Sequence, residues 1–114
     1  MPSPRYIFLN ALPLQALNIT KPTKLLVTPV KPSSLKQLIP LMRGKIENYI
    51  RHPATVQLIN KLFGLDLQPS SQLYSYSSGD VIYVFTLKKP IRGKEIDHVS
   101  EDDVVIYRVE ILSS

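Results

Sequence analysis

The sequence predicts a mixed α/β fold, a single-layer mixed sheet of about five strands flanked by short helices. Three observations carry this reading. Short apolar, β-favouring runs alternate with stretches of helical spacing along the chain. The segment Val81–Leu87 is apolar apart from Thr86, as a strand covered on both faces should be. Residues 52–64 carry complete helix punctuation, with Pro53 at the opening position and Gly64 where a left-handed cap belongs.

Taken in order, Tyr6-Ile7-Phe8-Leu9 is a buried first strand, stopped by Asn10. Leu12-Pro13-Leu14-Gln15-Ala16-Leu17 reads as one helical turn with a proline near its start. Lys24-Leu25-Leu26-Val27-Thr28 is a second strand, flanked by Pro22 and Pro29. Pro32-Ser33-Ser34-Leu35 opens a short helix that Pro40 should end or kink. Residues 45–50 alternate and form a strand that delivers Arg51 and His52. In the helix that follows, Val56, Ile59, Leu62 and Phe63 share one face. Residues 73–76 are strand-like, and Ser77-Ser78-Gly79-Asp80 is a turn. After the central strand, 88–94 is a basic loop. A closing strand over 104–112 sets Val105, Tyr107, Val109 and Ile111 on one face, with Arg108 and Glu110 on the other. No internal repeat or heptad interrupts this order.

The 114 residues fit one domain, with 1–4 as a flexible N-terminal tail. Composition is that of an ordinary globular chain, 44% hydrophobic and 20% charged. Cysteine is absent, which excludes disulfides and thiolate metal sites, and two distant histidines offer little to a metal. No cofactor is expected. A net charge of +5 favours an anionic partner such as a nucleotide or nucleic acid. No apolar run is long enough to span a membrane and no signal peptide is evident, so the expected location is cytoplasmic.

Chemistry centres on His52. A proline after it pushes it toward extended backbone, as a cap residue requires, and so places it between a strand end and a helix N-terminus. That end of a helix attracts phosphate, and imidazole is a fitting acid or base for phosphodiester chemistry. The plainer alternative is a solvated capping histidine. The second histidine, His98, sits among Asp97, Glu101, Asp102 and Asp103 and reads as solvated. The basic loop is either a phosphate grip or a solvated turn, and the tyrosines default to core packing.

Asn10-Ala11-Leu12, then Ile50-x-His52-x-x-Thr55-x-x-Leu58-Ile59-Asn60-x-Leu62-x-Gly64, form a distinctive order. A strand led by Gly79-Asp80, the loop ending in Gly93-Lys94, and Tyr107-x-Val109-Glu110 continue it. The chain resembles the viral ring nucleases, small anti-CRISPR proteins of crenarchaeal viruses, as a divergent member. The resemblance implies a homodimer that binds cyclic tetra-adenylate across its two-fold axis and cleaves it without metal. It also implies that a ribose 2′-hydroxyl attacks the adjacent phosphate while His52 protonates the departing 5′-oxygen. Ligand contacts are implied at Asn10, Gln15, Arg51, Thr55, Lys89 and Arg92, in the cytoplasm of an infected host.

The departures from that family are specific. Pro13 stands where the family has serine, Gln15 where it has asparagine, and Ser71 where an arginine opens a strand. The family's catalytic glutamate falls at Arg92, within Lys89-Pro90-Ile91-Arg92-Gly93, with Glu95 three residues later. Two expectations follow. One is a cyclic-oligoadenylate binder whose cleavage is weak or lost. The other is a non-enzymatic DNA- or RNA-binding or protein-interaction module on the same scaffold.

Overall fold

The computed structural model describes residues 4–88 and 100–112. Its sheet has the order β2-β5-β4-β1-β3, from β1 (Tyr6–Leu9), β2 (Leu25–Val30), β3 (Ile46–Asn48), β4 (Val81–Leu87) and β5 (Val104–Ile111). β1 pairs in parallel with both β3 and β4, and β5 runs antiparallel between β4 and β2. This is the mixed five-strand sheet expected. Its helices are α1 (Pro32–Met42) and α2 (Pro53–Phe63), with 3-10 turns at Leu14–Leu17 and Glu101–Asp103.

Strand alternation divides the core in two. Phe8, Tyr83, Phe85, Val104 and Ile106 face both helices, meeting Leu35, Ile39 and Met42 of α1 and Val56, Ile59 and Phe63 of α2. The opposite face presents Ile7, Leu9, Ile82, Val84 and Val109 to Ala16, Leu17 and Tyr74. β4 is thus buried on both sides, as its apolar run, interrupted only at Thr86, requires. β5 adds to the expected face: Val104 and Ile106, on the side of Arg108 and Glu110, are core residues under the helices.

Four expectations are corrected. Residues 73–76 are not a strand: Tyr74 is instead folded under the sheet, its ring 5.3 Å from Tyr49, while Tyr76 donates its N–H to the Ala16 carbonyl at 2.8 Å. Pro29 lies inside β2 rather than beyond it. The Leu112 N–H bonds the Lys24 carbonyl, so Leu26, Thr28 and Val30 make the ladder with β5 and Pro29 faces outward, where an edge strand needs no donor. Of the two outcomes expected at Pro40, an end is excluded: α1 continues two residues past it, to Met42, with Ile39 and Met42 buried. β3 ends at Asn48, short of Ile50, because the Asn48 side chain takes both backbone groups of Ile50, accepting at 3.1 Å and donating at 3.3 Å.

The tail expectation for residues 1–3, the loop with Lys89 and Arg92, and His98 all lie outside the described residues. Among the described residues no helix is long and apolar enough to cross a membrane.

Candidate functional site

The parallel strands give the sheet two unlike ends. At the amino end, Arg5 precedes β1 and Asp80 precedes β4, and pairing of those strands sets the two charges side by side. Arg5 Nε and Nη2 donate to the Asp80 carboxylate at 2.9 and 2.6 Å, and Nη1 reaches Glu47 at 2.6 Å. Tyr74 Oη and the Ser77 N–H also donate to Asp80, at 2.7 and 3.0 Å. Asp80 is only 4% exposed. Burial would push its carboxyl upward, but the bonds from Arg5, Tyr74 and Ser77 outweigh that and hold it below the usual carboxylate range. Arg5 is raised by its bond to Asp80, and Tyr74 is raised by burial and then by the same carboxylate. The sequence reading missed this network. Its signal was present: opposite charges directly before two strands become neighbours once those strands pair in parallel.

At the carboxyl end lie the candidate residues. Open α/β sheets place their ligands there, beyond the ends of parallel strands. β1 delivers Asn10, β4 delivers Thr86 to Lys88, and the clasp on Ile50 turns the chain from β3 into Arg51 and His52. His52 caps α2 with extended backbone (φ −72°, ψ 115°), and Pro53 opens the helix. The Thr55 N–H donates to His52 Nδ1 at 3.4 Å, and Thr55 Oγ1 lies 3.3 Å from the same nitrogen. Gly64 closes the helix in the left-handed region at φ 66°. The return from α2 is pinned by Asn60, whose side chain donates to the Leu67 carbonyl and accepts from its N–H.

A cleft of about 210 Å³ opens between these elements, lined by Asn10, Thr55, Phe85, Thr86 and Leu87. Asn10, His52 and Thr55 are therefore linked through one cleft and one hydrogen-bonded pair, with exposed Arg51 directly before His52. Gln15 is not brought in: it sits exposed on the 3-10 turn that covers the other face of the sheet. Lys88 lies at the exposed end of β4, its N–H bonded to the Asp103 carbonyl. A larger cavity of about 320 Å³, near Asn18, Lys21, Tyr76 and Leu112, belongs to the opposite end. Among the described residues no cluster of three metal-ligating side chains occurs.

Comparison with known proteins bears on the fold and the family. A family model described as STIV B116-like matches residues 7–110. Among solved structures, the chain is similar to B116 of Sulfolobus turreted icosahedral virus (STIV), with a TM-score of 0.74 and 24% sequence identity. That likeness covers 92% of this chain and 97% of the viral one. No curated protein sequence matches. The matched range reaches into every strand and helix and includes all the residues that line the cleft. The chain belongs to the STIV B116-like family.

Proposed function

We infer that this is a viral protein that binds cyclic oligoadenylate, cyclic tetra-adenylate by preference, and so counters type III CRISPR signalling, with weak or lost cleavage. The observation that supports it is His52: an imidazole at a helix N-terminus, bonded to a residue of the cleft beyond the parallel strands. One copy does not suffice. Pockets that hold drug-sized ligands measure roughly 300–1,000 Å³, and a ring of four nucleotides is larger still than this cleft of about 210 Å³. A two-fold dimer would offer two clefts and two His52 side chains to a symmetric ring.

In the cleavage step, a ribose 2′-hydroxyl attacks the adjacent phosphorus and its proton passes to water. The bond from phosphorus to the 5′-oxygen breaks, and Nε2 of protonated His52 delivers a proton to that oxygen. The products are a 2′,3′-cyclic phosphate and a 5′-hydroxyl, and solvent reprotonates the ring. No metal enters this step. Asn10, Arg51 and Thr55 would contact the ligand, with Lys89 and Arg92 gripping phosphate. A cation at Arg92 stabilises charge but cannot orient an imidazolium as a carboxylate does, which makes turnover low. Arg92→Glu should therefore increase cleavage.

The deciding experiment incubates the pure protein with labelled cyclic tetra-adenylate and measures binding and cleavage separately. Tight, saturable binding with slow cleavage is the expected result. Binding of long DNA or RNA in preference to the ring would instead assign the net positive charge to a nucleic-acid module.

A further inference from the structure

We propose that Thr55 is the positioning residue of this site, holding the neutral His52 ring in the tautomer whose proton is on Nε2. The inference rests on the functional reading above for its purpose, but its physical basis is independent of any ligand. Two groups of Thr55 converge on Nδ1, the backbone N–H at 3.4 Å and the hydroxyl at 3.3 Å. A backbone N–H can only donate, so Nδ1 presents its lone pair and the proton of the neutral ring resides on Nε2.

The hydroxyl adds what the backbone cannot. Thr55 is a buried residue, 7% exposed, and its Oγ1 is paired with the imidazole rather than left unsatisfied. Toward a neutral ring the hydroxyl donates. When the ring gains a second proton at Nδ1, that nitrogen becomes a donor, and the hydroxyl can rotate to accept from it. The Thr55 N–H cannot reverse in this way. One side chain thus accompanies both protonation states: the backbone cap bond serves the neutral ring alone, and in the protonated state the Thr55 hydroxyl is the partner left to Nδ1. The neutral ring offers Nε2–H to an anionic phosphate oxygen, and the protonated ring offers the same proton to a leaving oxygen. Once that proton is given up, the ring briefly keeps its remaining proton on Nδ1 with a lone pair on Nε2, and exchange with solvent restores the tautomer with the proton on Nε2.

The test is long-range proton–nitrogen NMR of the imidazoles in labelled protein, with the rings neutral. With only two histidines in the chain, the His52→Gln spectrum identifies the His52 signal. Wild type and Thr55→Ser should give the pattern of a single tautomer with the proton on Nε2. Thr55→Val, its fold checked by circular dichroism, should shift to an averaged pattern with part of the proton on Nδ1. An averaged pattern in the wild type would overturn the proposal whether or not the valine variant folds. A folded valine variant with the wild-type pattern would overturn the role of the hydroxyl. Failure of the functional reading looks different: wild type would not bind labelled cyclic tetra-adenylate while its single-tautomer pattern stood.

Discussion

At the scale of single residues, His52 and Asp80 show how differently two polar groups can be held. His52 is exposed, and its cap bond to Thr55 is the kind whose loss costs about 1 kcal/mol. His52→Ala should therefore leave the fold intact and ring binding within a few-fold. It should remove detectable cleavage, since a general acid contributes about 10²- to 10⁴-fold. Separate binding and cleavage assays check this. Asp80 is the reverse case, buried and bonded from three residues. Asp80→Ala leaves Tyr74 and Ser77 without this acceptor and Arg5 with Glu47 alone, and should cost about 3 kcal/mol in urea unfolding. Because its carboxyl is held below the ordinary range, Asp80 stabilises the fold fully above about pH 4, the unfolded value. That contribution is lost as pH falls through the lower folded value. Unfolding midpoints measured from pH 7 to 2 should drop in the wild type, with a smaller drop in Asp80→Asn.

Among the elements, α2 was legible almost to the residue, and α1 was not. Proline and glycine report their own backbone demands, so Pro53 and Gly64 mark where α2 begins and ends. Gly64→Ala should cost about 1 kcal/mol, through the left-handed backbone alone, as a Cβ there would meet nothing within 4 Å. Pro40 sends a misleading signal because tertiary burial of Met42 outweighs the bond that proline removes. Pro40→Ala restores a donor to the Lys36 carbonyl and should raise stability by about 1 kcal/mol or more, visible in the same unfolding assay. Strand pairing could be read only as far as apolar runs go. Asn48 and Asn60 clasp backbone groups reached through the fold, and Tyr74 is drawn under the sheet by Asp80; periodicity carries no trace of either. For the site, the pairing of His52 with a helix start was readable. The meeting of Asn10 and Thr55 was not, because it depends on which strands are neighbours.

For the whole molecule, the proposed ring ligand demands two copies. Light scattering at micromolar concentration should give twice the 12.9 kDa chain mass, and a monomer would remove the two-fold site. Changing Lys89 and Arg92 to alanine should weaken binding. It should also lower the slope of log affinity against log salt by roughly 0.7–0.9 for each phosphate that is no longer neutralised. The opposition of the two sheet ends has a consequence for how such a chain can diverge. The ionic brace of Arg5, Asp80 and Tyr74 sits at the starts of β1 and β4, and the candidate chemistry sits where those strands finish. Among the described residues the brace and the cleft share no hydrogen-bond partner, so the effects of mutations at the two ends should add. Substitutions around the cleft can therefore accumulate without renegotiating the stability that the brace supplies.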